Sequence, residues 1–272
     1  MSNQELHATK SVEQDEAVHD LTIDHRVQRD ALDVVKVNAI VNDFYPDALG
    51  RITVSVRSNG DRVVIDGWHR VEAVRRLTDN AGTIPARVYE DLTLKEEAAT
   101  FLKLNATNRP RVLDKWKVRT TMEDPLTVEV TALLNAFGWS ISHAAQNGHV
   151  NAVGSLERIY NLSRKLEAEP NLIHATFMVI TKAWGHDRYG AQSTVIEGIA
   201  ALVAEHKSLL DLAVLIGKLK EYKGGPQTLI QEARNLAGIC NMLVPMAVAE
   251  ILTDKYNIGR KKNVLPTWRK RR

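Results

Sequence analysis

The stretch "RITVSVRSNGDRVVIDGWHRVEAVRRL", residues 51–77, decides the fold of the first half of this chain. Its opening, "RITVSVR", alternates apolar and polar residues, which predicts a half-buried strand. The pair Asn59–Gly60 is typical of a two-residue hairpin loop, and "RVVI" then returns as the partner strand. The segment "WHRVEAVRRL" has the apolar spacing of a helix. The sequence therefore predicts a hairpin that passes through Asp66 and Gly67 into a helix.

The segments on either side of this hairpin predict a small mixed sheet with helices. "LTID" (21–24) predicts a short strand, residues 31–45 an amphipathic helix, and "TIPARVYE" (83–90) another alternating strand. Thr93 and Glu96 have the spacing of a capping box, so a further helix is expected to begin there. Beyond this helix the strand signals fade and the pattern becomes helical.

The chain divides into four segments by pattern and charge. We predict a disordered acidic N-terminus over residues 1–20, a domain with a small mixed sheet over 21–112, an all-helical domain over 113–254 and a basic tail over 255–272. The predicted fold class is therefore α+β.

The composition is that of a globular protein, with 272 residues, 44% hydrophobic and 25% charged. The net charge of +3 is unevenly placed, since the first 20 residues hold five acids and one lysine and the last 18 hold eight basic residues and no acid. No apolar run approaches the roughly 20 residues that a membrane span needs. A single cysteine, Cys240, excludes an internal disulfide. We expect a cytoplasmic protein without a membrane partner.

The turn into the helix at Gly67 is a candidate anion site. Such a turn presents unpaired amides and the positive end of the helix dipole, and glycine lets a ligand approach the backbone closely. Arg70 lies in the first turn, where a guanidinium can bind phosphate oxygens with two hydrogen bonds. His69 and Asp66 are the candidate catalytic residues, and Asp66 is also a candidate ligand of a divalent cation. The alternative is structural: Asp66 caps the helix and Arg70 pairs with a nearby acid.

The order strand, hairpin, strand, "DGWHRVEA", helix, strand, helix resembles the ParB/sulfiredoxin superfamily. The hallmark G-x-x-R-x-x-A of that superfamily is matched by Gly67, Arg70 and Ala73. Over residues 21–115 the chain is similar to phage-borne ParB-like proteins with a helical C-terminal domain. The resemblance implies a ParB/sulfiredoxin-like fold for residues 21–112. It also implies a pocket for a nucleoside triphosphate, CTP or ATP, with Mg²⁺ as a candidate accompanying ion.

The resemblance also implies which side chains meet the nucleotide. Arg29 in "VQRD" matches an arginine that precedes the first helix of the family, and Asn105 and Arg109 are the nearest matches to an asparagine–arginine segment. The implied contacts are Arg29, Gly67, Trp68, His69, Arg70, Asn105 and Arg109. The chain departs from the family at Trp68, which replaces the catalytic cysteine of sulfiredoxins, and at Leu104, which replaces a glutamate of the partition proteins.

Two basic segments are candidate surfaces for DNA or an acidic partner, because each combines positive charge with a tryptophan that can stack. They are "RPRVLDKWKVR" (109–119), with Trp116, and residues 255–272, with Trp268. The candidate residues are Arg111, Lys115, Lys117, Arg119, Lys261, Lys262, Arg269, Lys270, Arg271 and Arg272. The alternatives are a solvated helix face with Trp116 packed inwards and a disordered solubilising tail.

These features together predict a phage- or plasmid-type DNA-transaction factor, acting in partition, replication, recombination control or regulation, with a nucleotide pocket that serves as a switch. Three alternatives stay open. The first is a nucleotide-dependent kinase or phosphohydrolase, the second a ParB-like nuclease, and the third a protein-binding accessory, such as a recombination directionality factor, with a degenerate pocket. Expected partners are DNA and a recombinase, replication or partition protein. A homodimer is a further candidate assembly.

Overall fold

The computed structural model describes residues 10–105, 111–168, 171–206 and 209–268. The chain forms two compact units, Met1–Asp124 and Pro125–Arg272. A five-stranded mixed sheet with helices makes up the first unit, and the second is mainly helical. The predicted α+β class is confirmed.

Eleven elements build the described part of the first unit. In chain order they are β1 (Ser11–Ala17), a 3₁₀ turn (Val18–Asp20), β2 (Leu21–Thr22), α1 (Val34–Asn42), α2 (Pro46–Leu49), β3 (Ile52–Val56), β4 (Arg62–Asp66), α3 (Trp68–Leu77), β5 (Thr83–Glu90), α4 (Leu94–Leu104) and α5 (Val112–Thr121).

The sheet has the order β1-β5-β3-β4-β2, so the hairpin strands β3 and β4 lie towards its middle. β3 runs antiparallel to β4 and parallel to β5. One core lies on the face covered by α3, where Val64 packs with Val71 and Val74. A second core, on the opposite face, joins Ile65 to Phe101 of α4. Because β4 is buried on both faces, its apolar residues run consecutively rather than alternating.

The hairpin loop is longer than the sequence predicted. The Arg57 amide donates to the Asp61 carbonyl oxygen at 3.0 Å, and the Gly60 amide donates to the Arg57 carbonyl oxygen at 2.8 Å. Gly60 has a φ of 88°. A tight turn followed by a residue with positive φ is the usual three-residue hairpin loop. Gly60 is that last residue, whereas in a two-residue loop it would be one of the two central residues.

The prediction of disorder over residues 1–20 is wrong for the described part, residues 10–20. β1 pairs antiparallel with β5 along its whole length. Glu16 is 3% exposed, and it accepts two hydrogen bonds from Arg62 at 2.6 and 2.8 Å. The segment is polar because its other side chains lie at a solvent-exposed sheet edge, and backbone hydrogen bonds hold it there.

The boundary between the units lies at Asp124 rather than at residue 112. Helix α5 belongs to the first unit because Val118 packs into the core formed by Ile65 and Phe101. Trp116 is 4% exposed, so the alternative in which it packs inwards is the observed arrangement.

Nine elements build the described part of the second unit. They are α6 (Pro125–Ala136), β6 (Ser140–Ile141), β7 (His149–Val150), α7 (Val153–Lys165), α8 (Leu172–Trp184), α9 (Ser193–His206), α10 (Leu212–Lys220), α11 (Gly225–Cys240) and α12 (Val244–Asn257). The two short strands pair in parallel and were not predicted, since two-residue strands leave no periodicity in a sequence.

Helix α12 forms the centre of the second unit and packs against α9, α10 and α11. Its inward side chains, from Ala247 to Tyr256, are fully buried. Within the described ranges, no single helix is long and apolar enough to cross a membrane, although α11 and α12, bent by 108°, reach that length and composition as a pair.

The predicted basic tail is wrong over residues 255–268, because helix α12 continues to Asn257 and the chain then packs back onto it. The Asn257 side-chain amide and the backbone of Leu265 exchange two hydrogen bonds of 2.8 Å. Leu265 is 2% exposed. Residues 269–272 lie outside the described part of the chain.

Trp268 anchors the end of this segment. Its backbone amide donates to the buried Glu250 carboxylate at 2.6 Å, and its indole N–H donates to the Thr253 hydroxyl at 3.1 Å. The His206 ring meets the indole edge to face at 5.9 Å. Trp268 is therefore used in packing and is not free to stack on a base.

A buried ion cluster fastens three parts of the first unit. Glu97 of α4 is fully buried and accepts from Arg57 at 3.0 and 2.5 Å. Arg57, next to the hairpin loop, also donates to Asp24 at 2.8 Å. Hydrogen bonds from Arg26 and Arg57 hold the pKa of Asp24 well below its usual range, and those to Glu97 and Asp24 raise the pKa of Arg57. The cluster thus joins α4, the hairpin and the loop after β2.

Replacing Glu97 by alanine should destabilise the first unit by about 3 kcal/mol, because a broken buried pair leaves a partly buried guanidinium without its main partner. Urea unfolding followed by circular dichroism measures the change. The matched control is Glu90→Ala at an exposed strand end, for which we expect a change within about 0.5 kcal/mol. A loss below about 1 kcal/mol for Glu97→Ala would show that Asp24 alone satisfies Arg57.

Candidate functional site

The bend between β4 and α3 is built on a glycine that no other residue replaces without strain. Gly67 has a φ of 102°, and a Cβ at this position would run into the Ile52 side chain. Gly67 is the N-cap of α3, without a side-chain cap, and its carbonyl oxygen accepts from the amides of Arg70 and Val71. The amides of Trp68 and His69 precede these bonds at the open end of the helix.

Arg70 is held by the protein itself. Its guanidinium donates to the Asp66 carboxylate at 2.7 Å and to the Arg51 carbonyl oxygen at 2.5 Å. The Arg70 and Asp66 side chains are 24% and 32% exposed. The structural alternative for Arg70, pairing with a nearby acid, is therefore the observed arrangement. An incoming anion has to share Arg70 with Asp66 or displace it.

Residues from distant parts of the sequence meet at Asp66. Asn105, the C-cap of α4, donates to the second oxygen of the Asp66 carboxylate at 3.4 Å and to the Phe101 carbonyl oxygen at 3.0 Å. Arg29 donates to the side-chain oxygen of Asn105 at 3.4 Å. We call Arg29, Asp66, Arg70 and Asn105 the Asp66 network.

Gln28, which was not among the predicted site residues, holds the Arg29 loop against the sheet. Its side-chain amide donates to the carbonyl oxygens of Val64 and Ile65 at 3.1 and 2.5 Å. Strand β2 stops pairing with β4 at Val63, so the Gln28 side chain continues the hydrogen bonding along that edge. A single polar residue in a loop carries no periodic signal that would have marked this role.

The His69 ring is neutral, and one of its two nitrogens already has a hydrogen-bond partner. Its Nε2 accepts from the Asp33 backbone amide at 3.2 Å, which leaves the proton on Nδ1. Burial, followed by the charges of Arg29 and Lys36, lowers the pKa of His69. Only Nδ1–H is thus available to a ligand.

Trp68 and Arg109 complete the implied contacts. The Trp68 ring is half-buried and packs edge to face on His25, with 5.5 Å between the ring centres. This packing makes it one wall of the site. Arg109 lies outside the described residues.

A small cavity of about 250 Å³ adjoins Arg70 and was also missed. Phe44 and Tyr45, between α1 and α2, lie on its wall and are 39% and 63% exposed. The available signal was this pair of adjacent aromatic residues just before Pro46, but the predicted helix over residues 31–45 included both, whereas α1 ends at Asn42.

The predicted basic residues are distributed over both units and are partly neutralised. On α5, Lys117 pairs with Asp30 and Arg119 pairs with Asp124, whereas Arg111 and Lys115 are exposed. In the second unit, Lys261 and Lys262 are exposed. Arg269, Lys270, Arg271 and Arg272 are outside the described residues.

A family model matches most of the chain. The model of a family of unknown function, DUF6551, matches residues 24–266. The chain belongs to the DUF6551 family. The DUF6551 match spans both units and includes the whole Asp66 network, and it begins after β1. No curated protein matches the chain.

Proposed function

We propose that this DUF6551 protein is a DNA-transaction factor whose first unit binds a nucleoside triphosphate at the Asp66 network and uses it as a switch. The observation that carries the proposal is the hydrogen-bonded group beside the uncapped start of α3, in which Arg70 and Asn105 bind Asp66 and Arg29 binds Asn105. Packing a hydrophobic core does not require two guanidiniums and a helix start at one exposed bend. A polyphosphate is bound by such groups, because they supply positive charge and hydrogen-bond donors.

The phosphate groups are the part of the ligand that the bend suits best. Gly67 has no side chain to cap α3, so the amides of Trp68 and His69 stay open to an external acceptor. Arg29 and Arg70 approach from two sides, and Lys36 adds to the positive charge that His69 experiences. Nδ1–H of His69 supplies one further neutral donor.

The cavity beside Arg70 suits the nucleoside. Its volume of about 250 Å³ is below the size of typical small-molecule pockets, roughly 300–1,000 Å³, and is enough for one ring system. Phe44 and Tyr45 offer aromatic surfaces for stacking. We therefore place the base against these rings and the phosphates over α3.

Asp66 fits a magnesium ion that arrives with the nucleotide. Mg²⁺ in proteins is commonly held by one or two carboxylates and the phosphates of the ligand, and Asp66 is the carboxylate of the network. Such an ion would neutralise the repulsion between Asp66 and the phosphates. The residue that would hold it is Asp66, since Asn105 turns its NH2 group towards Asp66 and its side-chain oxygen towards Arg29.

A switch follows from the way Arg70 is held. Without nucleotide, Arg70 bonds Asp66, and Asp66 bonds Asn105 at the end of α4. A phosphate that takes over the Arg70 bond leaves Asp66 without its cationic partner, so Asn105 then bonds an unneutralised carboxylate. Differential affinity of the nucleotide for the two arrangements is all that a switch requires. Among the described residues the network contains one carboxylate, and the neighbouring His69 is already bonded to the Asp33 amide, which favours binding over turnover.

DNA is the proposed second partner. Positive charge comes from Arg111 and Lys115 at the start of α5 and from the C-terminal segment, where residues 255–272 hold eight basic residues and no acid. Such charge binds phosphate backbones without sequence preference.

A nucleotide panel tests the pocket. We expect calorimetry to detect binding of CTP or ATP, and Arg70→Ala to weaken it at least about tenfold, since a charge-assisted bidentate contact is lost. The matched control is Arg76→Ala on the same helix, where Arg76 pairs with Glu72. The nucleotide affinity of this variant should stay within about twofold of the wild-type value. Equal affinities for both variants, or no binding by any nucleotide, would contradict the proposal.

Replacing Asp66 by asparagine should act in opposite directions with and without magnesium. Without Mg²⁺, Asp66→Asn removes a repelling charge and frees Arg70, so the nucleotide should bind several-fold more tightly than to the wild type. With Mg²⁺, the variant loses the carboxylate ligand and this advantage should disappear. The measurement is calorimetry in EDTA and in excess magnesium. Equal weakening in both buffers would show that Asp66 acts only by supporting the fold.

The DNA proposal predicts a salt-dependent affinity for duplex DNA. Replacing all four residues 269–272 by glutamine should flatten the slope of log K against log salt by about 0.9 for each lost phosphate contact. Fluorescence anisotropy at several salt concentrations measures it. The matched control removes the same charge from exposed helix positions, namely Arg164, Lys165, Lys182 and Lys220. A control slope that falls equally would mean that net charge alone drives binding.

A further inference from the structure

The second unit contains a cavity that the proposed function does not use. It has a volume of about 460 Å³ and lies where the loop after β6 and the loop after α8 meet the starts of α7 and α9. The lining includes Arg188, His149, Asn151, Gln192 and Ser193. Among the ten lining residues none is acidic, so the cavity presents one full positive charge and several neutral donors.

The cationic wall is fixed in place. Arg188 donates to the Ala145 carbonyl oxygen at 3.1 Å and to the Tyr189 hydroxyl at 3.0 Å, and its guanidinium lies 4.8 Å from the centre of the Tyr189 ring. Its backbone amide donates to the Asn147 side chain at 3.1 Å. These bonds use two of the five guanidinium N–H groups, and the others stay available to a ligand.

His149 is oriented in a similar way. Its Nδ1 lies 2.8 Å from the Ser140 hydroxyl, which fixes the ring and leaves Nε2 for another partner. Two nearby acids are not lining residues and are already bonded: Asp187 accepts from the Tyr189 amide at 2.7 Å, and Glu197 accepts from Ser155 and pairs with Arg158. Lining and surroundings therefore favour an anion.

Two helix starts face the same cavity. Ala152, the N-cap of α7, lines the cavity and has no side-chain oxygen to accept from the amides that follow. Ser193, the first residue of α9, also lines it. The first amides of a helix have no acceptor within it, so both helix starts can donate to an external acceptor.

We propose that this cavity binds a small molecule that carries a phosphate group. A guanidinium, a histidine and two helix starts around one concave space match the several acceptor oxygens of a phosphate better than the two of a carboxylate. The volume lies within the range of small-molecule sites, so we assign the phosphate to a free compound rather than to a nucleic-acid backbone. The site is independent of the Asp66 network.

Amide NMR of the full-length ¹⁵N-labelled protein tests the site. Inorganic phosphate, titrated against sodium chloride of equal ionic strength, should shift the amides of residues 151–154 and 192–194 until they saturate, and adenosine monophosphate should do so at lower concentration. Arg188→Ala should weaken this binding about tenfold or more. Arg234→Ala, at an exposed position of α11, should leave it unchanged.

A second variant guards against misfolding of the Arg188 loop. Ala152→Asp supplies the missing cap and occupies the start of α7, so it should raise the melting temperature and abolish the phosphate shifts. The assignment would be overturned by unchanged phosphate binding in Ala152→Asp, or by shifts that sodium chloride reproduces. It would also be overturned if a DNA duplex shifted these amides while inorganic phosphate and adenosine monophosphate did not. Shifts confined to residues 66–70 would do so as well, while leaving the proposal for the first unit intact.

Discussion

The Asp66 carboxylate is the point on which the first unit depends. One oxygen accepts from Arg70 on the following helix and the other from Asn105 at the end of α4, so a single side chain at the end of a central strand connects both faces of the sheet. Its partial exposure keeps this connection within reach of solvent ions. A carboxylate in that position stabilises the bend and at the same time opposes any second anion, and the proposed switch rests on this conflict.

The rigid parts of the unit lie on either side of this junction. The Glu97–Arg57 pair is buried and holds α4 against the hairpin, and Gln28 holds the Arg29 loop against β4. Neither contact involves Asp66. The positions of the two guanidiniums are therefore set by the fold, while the contacts among Arg29, Asn105 and Asp66 are long, at 3.4 Å, and partly exposed. Residues that are held firmly by the fold but joined by weak hydrogen bonds suit a site in which a ligand replaces those bonds.

Much of the fold could be predicted from local pattern. Alternation located β3 and β5, the Thr93–Glu96 box located the start of α4, and Gly67 with Arg70 located the bend. The failures have a common cause, because they concern contacts that only the assembled fold creates. β1 is polar and resembles a disordered segment until β5 offers it an edge. Residues 255–268 resemble a basic tail until Glu250 and Thr253, buried in the preceding helix, bind Trp268. Gln28 and the cavity beside Arg70 likewise depend on segments that are distant in sequence.

The edge strand β1 has a consequence for how the protein is handled. It lies outside the family match and is attached to β5 by backbone pairing along seven residues. Its loss by proteolysis would leave β5, an eight-residue strand with buried Ile84, Ala86 and Val88, as an open edge. Open edges of this kind recruit strands from other molecules, so a nicked or shortened N-terminus would turn a well-behaved sample into one that self-associates.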